Sequence, residues 1–311
     1  MIRSNNRLAP PDLLNKIQRL WELSASKIKA VESSFDFATG SPVYTVQGRY
    51  GTVGWTEWTL GFHFGSALLQ YDATLEPNFL ELGRAGTVAR MESHLTHTGV
   101  HDHGFNNVST FGNLRRLLLE GRLEAEPWEK DYYELALKCS AAVQAGRWTQ
   151  HQTGGFIYSF NGPHSLFADT IRSLRALALG HLLGHSLMEE IDRTVSLLER
   201  LVEHARSTAR YSVYYGQDRD HYDVRGRVAH ESIFNINDGC YRCPNSQQGY
   251  SGFTTWTRGL AWAMCGFAEL LEFLDAVSPG EGGETADIEE AKAIVERAAR
   301  ATCDFYRRHT P

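Results

Sequence analysis

The chain has 311 residues, 42% of them hydrophobic and 22% charged, the balance of a globular protein that can bury a core of substantial size. Its formal net charge is −6 and no stripe of Lys and Arg stands out, which argues against nucleic acid as a partner. No apolar run is long enough to cross a bilayer, and Met1 to Leu13 carries Arg3 and Arg7 without the apolar segment of a secretory signal, so no membrane association is expected.

Apolar residues recur at steps of three and four, the period of a helix that buries one face. Leu14, Ile17, Trp21, Ala25 and Ile28 form the first stripe, and helices are expected near Phe62–Tyr71 and Phe79–Glu92. Val108, Phe111, Leu114 and Leu118 form the next, followed by a helix near Tyr132–Gln144. Phe167, Ile171, Leu174, Ala178 and Leu182 predict another, as do Ile191, Leu198, Leu201 and Ala205. Two more are written in Leu260, Met264, Phe267, Leu271 and Leu274 and in Ile288, Ala291, Val295 and Ala298. Strand signals are confined to Val43–Val46 and Tyr211–Tyr215, read as loop ribbons. Ser278-Pro-Gly-Glu-Gly-Gly283 is the strongest break and reads as a loop between helices. The expectation is one all-α domain over residues 1–311. No short fixed repeat is present, which favours a closed toroid of helical hairpins over a solenoid.

Three connections are too long to be plain: Ser34–Gly54, Arg147–Leu166 and Arg210–Trp256. They are rich in Gly, Tyr, Trp, Asn and His, a composition that suits sugar rings with apolar faces and polar edges. Cys139, Cys240, Cys243, Cys265 and Cys303 are odd in number and widely spaced, which argues against a disulfide framework and makes the cytoplasm the default compartment. Cys240-Tyr-Arg-Cys243 has no second CxxC to complete a zinc site.

Three constellations carry chemistry. His94, His97, His101, Asp102 and His103 crowd into one decapeptide; a metal site and a polar loop ahead of a helix are both open readings, but the spacing is not HExxH and no Cys is near. Asp169, in Phe167-Ala-Asp-Thr-Ile171, is either the N-cap of a helix or a carboxyl with a raised pKa doing acid/base work. Arg258 and Trp262 stand four apart on one helix face, a guanidinium for a carboxylate beside an indole for a sugar face; an ion pair and a core Trp are the bland alternative.

His101-Asp-His-Gly-Phe105 resembles the His-Asp-x-Gly-Phe motif of glycoside hydrolase family 88, the unsaturated glucuronyl hydrolases. Trp58-Thr-Leu-Gly-Phe62 is similar to that family's Trp-Thr-x-Gly-Phe segment, and Phe167-Ala-Asp-Thr-Ile171 to its apolar segment around a central Asp. Gln248-Gly-Tyr-Ser251 and Thr255-Trp-Thr-Arg-Gly-Leu-Ala-Trp262 resemble its Gln-Gly-Tyr-Ser and Trp-Ala-Arg-Gly-Gln-Ala-Trp run. The motifs are collinear from Trp58 to Trp262, and four in order are specific. Departures are His103 at a commonly apolar position, Gly252-Phe-Thr-Thr before the Trp, and Leu260 for Gln; they bear on the sugar partner more than on the chemistry.

The resemblance implies an (α/α)6 barrel, with the last C-terminal helices expected to be missing because family members continue beyond Pro311. It implies Asp169 as general acid/base and Asp102 as the second essential carboxylate. Substrate contacts fall on Trp58, His101, His230, Gln248, Arg258 and Trp262. The implied reaction protonates C4 of a 4,5-unsaturated glucuronic acid and adds water at C5, with no metal or organic cofactor. The expected partner is a lyase-generated unsaturated uronate oligosaccharide, and assembly as a homodimer stays open. Alternatives are an unsaturated rhamnogalacturonyl hydrolase, a non-catalytic sugar-binding toroid, and a metal-dependent hydrolase built on the histidine cluster.

Overall fold

The structure, a computed structural model, describes residues 9–54, 57–277 and 288–310. The Ser278–Gly283 break, Arg3 and Arg7 lie outside the described residues. The chain divides into two compact units, one comprising Ser4–His97 and Phe105–Ser140, the other Thr98–Gly104 and Ala141–Pro311. Each is built mainly of helices, as the stripes predict.

In chain order the first elements are α1 (Leu14–Ser34), the hairpin β1 (Ser41–Val46) and β2 (Arg49–Val53), α2 (Leu60–Thr74), α3 (Pro77–Arg90) and the single turn α4 (Glu92–Leu95). Leu75, in the left-handed region at φ 58°, ends α2, and Pro77 opens α3 with the fixed φ of a first helical residue. Ile28, Ala67 and Phe79 join α1, α2 and α3 in one small core. The first half of the α1 stripe departs from expectation: Leu14 and Ile17 remain 62% and 44% exposed.

Next come α5 (His103–Asn107), a π-helical turn over Val108–Gly112, α6 (Asn113–Leu119) and α7 (Pro127–Gly146). The extra residue of the π turn shifts the register of the expected stripe. Phe111, Leu114 and Leu117 are buried, while Val108 and Leu118 are only half-buried.

The other unit holds more strand than the sequence showed. β3 (Trp148–His151) pairs with β4 (Gly154–Ile157) in a hairpin. β5 (Ser165–Phe167) leads into the short helices α8 (Thr170–Ser173) and α9 (Arg175–Leu182), so the helix expected from Phe167 starts later and breaks at Leu174. β6 (Leu187–Met188) and β7 (Thr194–Val195) form a second hairpin, followed by α10 (Leu197–Tyr211). Ile191 was expected on the α10 stripe but is 99% exposed in the hairpin turn. The helix instead begins at a capping pair, where the Ser196 hydroxyl accepts from the Glu199 N–H at 3.2 Å. β8 (Glu231–Phe234) pairs with both β5 and β9 (Tyr241–Asn245), and α11 (Thr257–Ala276) and α12 (Ile288–His309) complete the unit. The three long connections thus carry hairpins or sheet strands. Tyr211–Tyr215 is divided between the end of α10 and a single bridge from Val213 to Val228.

The core of this unit gathers Leu174, Leu198, Leu201, Leu260, Phe267 and Val295. Truncating one such buried leucine to Ala costs about 2–5 kcal/mol. Gly266 of α11 lies against the backbone of Ile171 and Arg172, with no room for a Cβ, and this close approach fixes α11 beside the turn that follows Asp169. Among the described residues no helix is long and apolar enough to cross a membrane.

Candidate active site

The segment Thr98–Gly104 belongs to the same compact unit as everything after Ala141, so the structure brings His101 and Asp102 to Asp169 across a long stretch of chain. β5 reaches Phe167, and the next N–H, that of Ala168, donates to the carbonyl of His230 at 2.9 Å. This extends the strand pairing by one residue and sets Asp169 beside His230. Asp169 occupies the N-cap position of α8, but its side chain makes no capping bond. Its Oδ1 lies 3.1 Å from His101 Nε2 instead, while Oδ1 of Asp102 is 3.7 Å from the same nitrogen. Both carboxylates are largely buried, with 12% of each side chain exposed, and the imidazole between them is 1% exposed.

Aromatic rings enclose this group. Phe160 stacks on His101 at 6.1 Å between centroids, and Phe167 meets it edge-on at 5.5 Å. Burial acts to lower the His101 pKa, but the charges of Asp102 and Asp169 and the hydrogen bond to Asp169 outweigh it and Arg147 opposes them only in part. The net result is a pKa above the ordinary histidine value. Asp102, His101 and Asp169 therefore form one buried group, two acids meeting on a shared imidazole nitrogen.

His230 stacks on Trp256 at 4.0 Å and packs against Phe167 at 4.7 Å. Its Nδ1 accepts the N–H of Gln247 at 3.2 Å, which leaves the proton of the neutral ring on Nε2. That Nε2 is buried and has no hydrogen-bond partner among the described residues. Burial holds the His230 pKa below the ordinary value, with Asp169 and Glu231 opposing and Arg258 and His101 reinforcing. The neighbouring Glu231 is itself held by Ser165, Asn161 and Asn245. Farther back, His204 accepts the Ile157 N–H on Nδ1 at 3.0 Å, and burial together with the charge of His101 pushes its pKa down to about 3.

The remaining expected contacts are distributed as follows. Arg258, exposed on the first turn of α11, donates to Gln248 Oε1 and lies 4.6 Å over the Trp256 ring. Burial lowers its pKa and Asp169 opposes the shift. Trp262 is half-buried one turn further along α11. Trp58 belongs to the other compact unit, where it contacts Phe62 at 5.7 Å and Phe105 at 6.2 Å. His94 also lies there and accepts from Asn106 Nδ2 at 2.9 Å. Among the described residues no group of three or more His, Cys, Asp or Glu side chains could hold a metal ion.

The sequence reading missed the ring walls Phe160 and Trp256. It also missed the polar side chains Gln144, Arg147 and Ser173, which bind backbone and so belong to no recognisable motif. Trp256 alone had a signal, since it stands inside the Thr255–Trp262 run.

No family model matches the chain. It is 25% identical over 211 residues to an unsaturated glucuronyl hydrolase of Formosa agariphila, a match that covers 68% of this chain and 47% of that protein. The chain thus spans about half the length of this curated relative. A solved unsaturated glucuronyl hydrolase specific for heparin aligns with a TM-score of 0.68 and 16% identity over 93% of this chain and 67% of that one. The unsaturated glucuronyl hydrolase of Bacillus sp. GL1, described as responsible for glycosaminoglycan degradation, aligns with a TM-score of 0.64 and 20% identity, over 90% and 67%. The fold is that of these (α/α) toroids. In sequence and in fold the chain is similar to the group that its motifs resemble.

Proposed function

We propose that this chain is a glycoside hydrolase that removes a 4,5-unsaturated glucuronic acid from oligosaccharides left by polysaccharide lyases. The observation that carries the reading is the meeting of Asp102 and Asp169 on one buried imidazole nitrogen.

The substrate ring carries a C4=C5 double bond conjugated to its carboxylate and joined to the ring oxygen, an enol ether. Asp169 delivers a proton to C4, which leaves positive charge on C5 and the ring oxygen. Water adds at C5, and Asp169 takes its proton back from that water. The resulting hemiketal opens and the glycosidic bond is lost with it. This differs from displacement at the anomeric carbon by two carboxylates. Asp102 supplies a negative charge near the developing cation, and His101 holds both acids on one ring nitrogen.

His230 offers the Nε2–H donor that no described residue accepts, suited to a substrate oxygen. Arg258 is placed in sequence and charge for the substrate carboxylate, with Gln248 orienting its guanidinium. Trp262 supplies a face for the sugar. The five free cysteines suit a reducing compartment, which agrees with a cytoplasmic enzyme.

The test is incubation with lyase digests of hyaluronan, chondroitin, heparin, alginate and pectin, following loss of the ultraviolet absorbance of the conjugated double bond. Loss with at least one glucuronate-derived digest is expected. Loss confined to the pectin digest selects the rhamnogalacturonyl reaction, and binding without loss selects a carbohydrate-binding protein.

A further inference from the structure

We infer that Ser173 is the positioning residue that locks the His101–Asp102 segment onto the helix turn beginning at Asp169, and so sets the separation of the two carboxylates. The inference rests on the catalytic reading of that pair.

Ser173 is fully buried and stands four residues after Asp169, one helical turn along the same face. Its hydroxyl donates to the carbonyl of His101 at 2.6 Å. The same oxygen accepts the N–H of Gly104 at 2.9 Å and Nε2 of Gln144 at 2.9 Å. A hydroxyl has one proton to give and two lone pairs to fill, and all three are used. Its rotor is therefore fixed, and the bonds reach both sides of Asp102. Asp169 holds the ring of His101 while Ser173, one turn later, holds its carbonyl.

The surroundings repeat the design. Gln144 Nε2 also donates to the His101 carbonyl, at 3.0 Å. Arg175 Nε donates to the Gly104 carbonyl at 2.8 Å, and Arg147 donates to the carbonyl of Thr98 at the start of the segment. A Cβ on Gly104 would collide with the Ser173 backbone, so the segment lies directly on that turn. A loop that lies this close and donates or accepts at three of its residues cannot slide independently of α8. Losing the hydroxyl leaves the Gly104 N–H without its acceptor in a buried place, and the segment must move to recover one.

The experiment compares wild type with Ser173→Ala, in parallel with Gln144→Leu, which removes the other donor to the His101 carbonyl. Two readouts are taken on folded protein: kcat and KM on a digest that the wild type consumes, and the His101 ring titration by NMR. The expected result is a kcat lower by on the order of a hundredfold with KM within about twofold, as for a small misplacement of reacting groups. The His101 midpoint moves toward the ordinary value as Asp102 shifts away. If Ser173→Ala does not fold, Gln144→Leu carries the same expectation with a smaller loss. Folded variants with wild-type kcat and an unmoved His101 midpoint overturn the inference. A wild type inactive on every digest defeats the functional reading alone, and the His101 titration still decides the positioning.

Discussion

Asp169 stands where a helix would be capped, yet its carboxylate turns from the α8 N–H groups to the imidazole of His101, 3.1 Å away. A residue used for capping would spend its oxygen on the helix and stabilise it by about 1 kcal/mol. Here the helix start is left without that bond, and the carboxylate is kept in a largely buried group with a second acid. Local stability given up at one buried carboxyl is what a reactive site looks like.

Asp102 tests the division of labour between the acids. Asp102→Asn keeps the side-chain volume but removes the charge, and its turnover should fall by about a hundredfold with KM nearly unchanged. Steady-state kinetics on a consumed digest measure this. A raised KM at wild-type kcat would assign Asp102 to binding instead.

Arg258 tests substrate anchoring. Arg258→Lys retains the charge but loses the planar fork, and the expected outcome is a KM raised by about tenfold with kcat within a factor of about two. Lost kcat at constant KM would contradict an anchoring role.

The histidines should titrate far apart. His101 has its pKa raised by Asp102 and Asp169 against the effect of burial, while burial and the charge of His101 push His204 down to about 3. His101 therefore contributes stability that is fully present below the unfolded value of about 6.5 and is lost as pH rises through its folded pKa. His204 contributes stability present above about 6.5 and lost as pH falls toward about 3. NMR titration should find His101 protonated above pH 6.5 and His204 neutral at pH 5. A His204 that protonates near pH 6.5 would contradict its buried, Nδ1-accepting placement.

Helical period made the large framework legible. Leu260, Phe267 and Leu274 are buried on α11 as their spacing predicts. Ile191 misled because an apolar residue at a helical step was given more weight than Ser196 and Glu199, whose spacing marks the true helix start. The π turn at Val108–Gly112 left no trace in residue type, and β5 with β8 pairs over only three residues from distant parts of the chain. The Asp102–Asp169 pair was legible through motif resemblance, since spacing alone left capping and metal readings open. Ser173 and Gln144 were illegible for a physical reason: their partners are mainly backbone carbonyls and N–H groups, which every residue has.

The most direct measurement is the turnover of Asp169→Asn on a digest that the wild type consumes, with circular dichroism confirming the fold. Asn keeps the size of the side chain but has no carboxyl proton to deliver, and α8 loses no cap. The expected result is a native spectrum with turnover reduced by on the order of 10³-fold or more. A folded variant retaining most of the wild-type rate would show that the proton reaches C4 from elsewhere.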